Sequence, residues 1–429
     1  MRLRAAVVLV LTALALLGVA ALERDDPRRP YTASAAAVRV PLLGVVGHPR
    51  PNALVRLHPR TLRPTSRPIR LRGYLWTSAW SPDRRHLAIA VSTSPGSQAD
   101  RSRIQIVDVE RWRTTAVIDM TDHNEAAWLA WSTPRRVLAV AAGGHSVLSV
   151  DPFAGRIARA TRFTERVVGD SVRQTPDGLA MLLGVVDGIG PVTLGLVTGD
   201  GDLRRVPLEG IEAGIEELDT PNGRQRIPAL AVDAAARRAF VVEAGGPGVI
   251  DVDLATGAAT RHEPGAGRTA LQWLRDLVEA EAEAQGVEGP WRSAHVVGDD
   301  LLAVTGWDDR FRDGEQVAHP YGLRLIDTRD WSVETLDRRI GHFVPVPGAL
   351  LIADGGYGRN SGIVVLELDG TTRFRALAGR DVGAIAIGGL LYATPHEGSR
   401  IHVIDLRSGR TVHVVPPGPP PLLILPPVG

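Results

Sequence analysis

The segment richest in reactive side chains runs from Trp307 to Tyr321 and carries Asp308, Asp309, Arg310, Arg312 and His319 among three aromatic residues. Carboxylates beside guanidinium forks and an imidazole suit the capture of a glycan, a peptide or a divalent cation. The same charges also pair with one another in ordinary solvated loops. Tyr357, Arg359 and His396 lie in later segments of similar make-up, which the repeat described below brings to the same side. Asp308, Asp309, Arg310, Arg312, His319, Tyr357, Arg359 and His396 are therefore the candidate ligand- or partner-binding residues.

Motifs for catalysis are missing from the sequence. It has no His-Glu-x-x-His pair, no Gly-x-Ser-x-Gly elbow, no phosphate-cradling Gly-rich loop ending in Lys, and no Asp-rich calcium loop. The twelve histidines fall without ligand spacing, and Asp200 with Asp202 reads as a turn. No catalytic residue, metal ligand or cofactor is assigned. Cysteine is absent, which removes disulfides, thiolate metal sites and thiol nucleophiles. The 49 basic residues, all arginine, balance 48 acidic ones, so no global field recruits nucleic acid or an anionic membrane.

Residues 1–22 read as an export signal. Arg2 and Arg4 precede the apolar run Ala5 to Leu17, and the small residues Gly18, Ala20 and Ala21 permit cleavage after Ala20 or Ala21. Left uncut, the stretch of roughly 18 residues is long enough to anchor the chain in a bilayer. Residues 23–40 form a linker, and the expected location is extracytoplasmic, with membrane contact only through residues 5–22.

The elements that position the candidate residues follow from an internal repeat. Apolar strands end in Asp with Gly four residues on, at Asp151 and Gly155, Asp253 and Gly257, and Asp405 and Gly409. The Asp side chain accepts backbone N–H groups ahead of it, and Gly supplies the positive φ that closes the hairpin. Asp108 and Asp327 are followed instead by Trp112 and Trp331, so those two turns are expected to differ. A second element precedes the first, in Ala79-Trp80-Ser81-Pro82-Asp83 with His86 to Ala90, and in Ala130-Trp131-Ser132-Thr133-Pro134 with Val137 to Val140. Joined, the two give a four-stranded unit of roughly 40 to 45 residues, apolar in its first strands and polar in its last, as sheets stacked around an axis require.

The Asp-turn unit Ile401-His402-Val403-Ile404-Asp405-Leu406-Arg407-Ser408-Gly409 resembles the bacterial YVTN-type propeller repeat, and Trp80-Ser81-Pro82-Asp83 is similar to the WD-like repeat of Tol-type propellers. The resemblance covers about Leu42 to Val415 and implies a fold, leaving activity open.

The chain is thus expected to be all-β: a single β-propeller of four-stranded blades over residues 41–416, with one inserted helix at about 269–286. Seven full units start near Thr77, Ala126, Val167, Ile227, Ala294, His342 and Gly383, and Leu42 to Leu71 supply three strands of another. The Pro-rich tail, 417–429, offers Leu422 to Leu425 as the missing strand, which favours eight blades over seven. Departures from the period, including Trp307 to Gly322 and Ile211 to Arg226, fall in connections that open on one face, and are read as loops. The function expected is a monomeric, non-enzymatic scaffold presenting that face to a protein, peptide or glycan of the cell envelope. The alternative is a metal-assisted, lactonase-like hydrolase with carboxylates and His converging at the channel mouth.

Overall fold

The computed structural model describes residues 41–424, apart from 47–51, 93–101, 121–125, 142–143, 217–223, 266–286, 313–314, 347–348, 355–361, 381, 396–399 and 417–421. The expected signal and linker (1–40), the helix at 269–286 and most of the tail lie outside the described residues.

Among the described residues, the strands form eight antiparallel sheets. Seven are built from consecutive stretches of chain, blades 2 to 8 beginning with Tyr74–Trp80, Ala126–Thr133, Arg166–Val167, Ala229–Asp233, Val287–Gly298, Val344–Val346 and Val382–Ile387. Blade 1 joins the two ends of the chain. Leu43–Val46, Ala53–Arg56 and Ile69–Arg70 supply three strands, and Leu422–Ile424 completes the sheet by pairing Leu43 with Ile424 and Val45 with Leu422. The expected ring-closing strand is therefore in place, and the sheet edge it covers is no longer a template for foreign strands.

Eight apolar clusters, one per junction between neighbouring blades, show that the ring is closed. Leu43 and Leu54 of blade 1 pack with Trp80 and Leu87 of blade 2. At the opposite seam, Val55 and Leu57 of blade 1 meet Tyr392 and Val403 of blade 8. The six remaining clusters join blades 2 to 8 in order. Strands such as His86–Ser92 and Arg136–Ala141 read as near-continuous apolar runs because both their faces are covered, whereas the outer Arg156–Arg162 is largely exposed.

The Asp turns form as expected. Asp253 Oδ1 accepts the backbone N–H groups of Ala255 at 3.0 Å and Thr256 at 2.7 Å, while Gly257 sits at φ 78°. The expectation for the two Trp-bearing turns is overturned. Trp112 and Trp331 adopt φ 54° and 60°, the conformation glycine holds elsewhere, and Trp331 N donates to Asp327 O as Gly257 N does to Asp253 O. Packing compensates for a left-handed cost of about 1–2 kcal/mol. Trp112 Nε1 donates to Arg67 O at 2.5 Å and lies under the Arg56 guanidinium, and Trp331 stacks on His262 with ring centroids 3.7 Å apart. Each indole reaches back to the preceding blade and acts as a clasp that glycine lacks.

Candidate functional face

In a ring of four-stranded meanders, the connections between second and third strands and those between blades open on one face. The opposite face carries short turns, with one longer connection, 57–68, inside blade 1. Two blades overshoot on the first face. In blade 4 the strands Gly188–Thr198 and Leu203–Glu216 run on past the sheet, and Arg224–Arg226 pairs with the end of the second. In blade 6, Val287–Gly298 and Leu301–Arg312 extend together, and Glu315–Pro320 folds back on the latter. Both segments were expected to be loops. They are β-ribbons instead, because backbone pairing satisfies their polar groups even where the charged sequence shows no alternation.

The ribbons are joined. Ile227, just beyond Arg224–Arg226, bridges in parallel to Trp291, donating its N–H to Pro290 O at 3.0 Å and accepting from Arg292 N at 2.9 Å. On the other flank the Trp307 indole lies so close to Gly341 that a β-carbon there would come within 2.1 Å of the ring. Gly341 is thus required by the ribbon's seat on blade 7.

At the base of the blade 6 ribbon, Arg292 is buried. Its Nη1 donates to Asp308 Oδ1 at 2.7 Å and to the Trp291 and Trp307 carbonyls at 3.1 and 3.2 Å. Its guanidinium lies 3.7 Å from the Tyr321 ring centroid, and that of Arg324 lies 4.0 Å from it while donating to the Tyr321 hydroxyl at 3.1 Å. The Asp308 carboxylate thereby neutralises a buried arginine and locks the ribbon base.

The remaining candidates fare as follows. His319 is exposed on the ribbon, opposite Asp308 in the register. Asp309 pairs with Ala318, Arg310 with Val317 and Arg312 with Glu315 along the backbone, and their side chains lie outside the described set. Tyr357, Arg359 and His396 fall outside the described residues altogether.

Beside the blade 4 ribbon lies a cavity of ≈ 300 Å³ lined by Trp128, Val168, Val186, Ile215, Arg166 and Asp170, among others. Val186 and Ile215, both in this lining, are 45% and 49% exposed. Sequence reading missed this site because Ile215 stands among glutamates and its strand was taken for a loop. Nearer the axis, His295 of the innermost strand of blade 6 packs edge-on against Phe343, centroids 5.4 Å apart. Burial, followed by the positive charges of Arg173 and His342, pushes its pKa down to about 4. Among the described residues, no three His, Cys, Asp or Glu side chains are grouped to hold a metal ion.

No family model matches the chain, and neither does any curated protein. Solved structures do. A dihydro-heme d1 dehydrogenase, NirN, in complex with DHE, superposes with a TM-score of 0.56 at 12% identity, covering 89% of this chain and 73% of that one. Apo AztD from Citrobacter koseri gives 0.51 at 10% identity, over 89% and 97%. At such identities the likeness concerns the frame alone, and it agrees with the sheet topology: the chain is a β-propeller.

Proposed function

We propose that this protein is an extracytoplasmic binding propeller that presents the ribbon-bearing face to a protein, peptide or glycan of the cell envelope. One observation carries the reading: the ribbons of blades 4 and 6 rise on the same face and are hydrogen-bonded together through Ile227 and Trp291. Rigid extensions that meet above a propeller face add nothing to closing the ring, so their maintenance points to recognition. The exposed Val186 and Ile215 beside the ≈ 300 Å³ cavity give that face an apolar anchor point, and His319 gives it a polar one. Export rests on the basic and apolar residues 1–22.

The test is capture from envelope extracts by three forms of the protein: wild type, Ile215→Asp, and Arg310→Ala with Arg312→Ala. Partners retained by wild type and lost by either variant, at unchanged melting temperature, would support the reading. Recovery of the same partners by all three would overturn it.

A further inference from the structure

The face opposite the ribbons is split by charge. It carries the connections from first to second strands and from third to fourth strands. In blades 8, 1, 2 and 3 these connections, taken with the strand residues that close them, hold thirteen arginines and five carboxylates. In blades 4, 5, 6 and 7 they hold three arginines and eleven carboxylates. One half of the face therefore has a formal charge of +8 and the other of −8, on a chain whose net charge is only +1.

The charges stand on fixed supports. The longest connection of this face, 57–68, folds back on itself: His58 N donates to Arg63 O at 2.9 Å and Leu62 N to His58 O at 2.8 Å, with the Leu62 side chain buried. Tyr392 of blade 8 donates its hydroxyl to Pro59 O at 2.9 Å, and Trp112 of blade 2 holds Arg67 O. The connection presents Arg60, Arg63 and Arg67, all exposed, and among the described residues none of them has a carboxylate partner. In blade 6, Asp299 and Asp330 are exposed on tight turns, and Asp330 is steadied by the Ser332 N–H, which donates to it at 2.9 Å.

The split also has a symmetry. The line dividing the halves runs through the junction of blades 3 and 4 and that of blades 7 and 8, which lie opposite one another in a ring of eight. A two-fold axis along this line, in the plane of the face, sets blades 1, 2, 3 and 8 of one copy over blades 6, 5, 4 and 7 of another, and the reverse at the same time. Each basic half then meets an acidic half, the self-complementarity that an isologous interface requires. A bilayer surface, with charge of one sign, repels one half whenever it attracts the other. We propose that the chain forms a face-to-face homodimer through its short-turn face, rather than the monomer expected from the sequence. Arg60, Arg63 and Arg67 of each copy lie over the blade 6 turns of the other. Both ribbon faces then point outward, and their ligand has no part in the pairing.

Sedimentation velocity of the full-length protein in mild detergent tests the pairing. Wild type is expected to dimerise, with a dissociation constant at least about tenfold higher in roughly 0.5 M than in roughly 0.05 M salt, because the charges are screened. Arg60→Glu with Arg63→Glu, and separately Asp299→Arg with Asp330→Arg, are each expected to weaken the dimer about a hundredfold at unchanged melting temperature. An equal mixture of the two variants is expected to regain it, since the reversed blade 1 of one faces the reversed blade 6 of the other. A monomeric wild type, variants that dimerise as tightly as wild type, or a mixture that stays monomeric would each overturn the proposal. So would association through the apolar residues 1–22, which ignores both salt and substitution. A wild type that stays monomeric yet takes up phosphatidylglycerol from mixed micelles, and ceases to do so with Arg60→Glu and Arg63→Glu, would assign the basic half to a membrane and overturn the pairing.

Discussion

Blades 1 and 6 occupy equivalent places in the ring and depart from the common blade in opposite directions. Blade 6 extends its first two strands to twelve residues each and adds a further strand, Glu315–Pro320, while blade 1 has a two-residue outer strand and borrows its inner strand from the far end of the chain. The excess creates a raised ribbon, and the deficit creates a cleft between blades 1 and 2. Both blades nevertheless contribute buried clusters to their neighbours on each side. The frame therefore depends on the short apolar stretch near the axis, and what lies beyond it is free to be lengthened or cut back.

The largest expected effect comes from breaking blade 1. Removing residues 417–429 takes away Leu422–Ile424 and exposes the edge of Leu43–Val46. A loss of about 4 kcal/mol, seen as a fall of roughly 5 °C in melting temperature, is expected together with concentration-dependent association in size-exclusion chromatography. An unchanged melting curve would mean that the closing strand is ornamental.

Blade 6 answers to its buried ion pair. Arg292→Ala strands Asp308 against the ribbon base and is expected to cost about 3–5 kcal/mol in urea unfolding, whereas replacing both residues with apolar ones of similar volume recovers most of it. Equal losses from the single and double variants would show that the pair itself was not the lock.

Acid should act on the same blade. His295 has its pKa lowered to about 4, chiefly by burial, against an ordinary value of 6.5. Below about pH 6.5 the unfolded chain takes up this proton and the folded chain does not, so stability is full at neutral pH and is lost progressively as pH falls to about 4, to a limit of about 3 kcal/mol. His295→Gln should flatten that slope in denaturation curves taken between pH 7 and 4. A slope unaltered by the substitution would assign acid sensitivity to other groups.

The smallest effect separates conformation from packing in the Trp turn. Trp331→Ala loses the stacking on His262 and keeps the left-handed strain, while Trp331→Gly loses only the stacking. The glycine variant should be the more stable of the two by about 1 kcal/mol. Parity between them would remove strain as a factor in this turn.

Where the burial pattern repeats, the amino-acid sequence sufficed. The Asp turns, the paired apolar strands and even the closing strand near Leu422 are local signals that recur with a fixed period, and the structure holds each of them. The ribbons escaped notice for a physical reason. In blade 6 the stretch Asp308-Asp309-Arg310-Phe311-Arg312 lacks the apolar alternation by which strands are recognised. Arg292 gave no warning either, because its partner Asp308 is sixteen residues away and stood in a stretch that looked like a source of free charge. The Trp112 and Trp331 turns were misjudged because intrinsic preference was weighed without the clasp to the preceding blade.

The borrowed strand also sets a timetable. Leu43 and its partner Ile424 are about 380 residues apart, so a chain emerging amino end first, from the ribosome or through a membrane, holds an incomplete first blade until Ile424 has appeared. At roughly 5–20 residues per second, that wait is on the order of 20–80 s. Seven blades are able to assemble in sequence during this interval, each against the one before it. The circle locks only once Leu422–Ile424 has emerged.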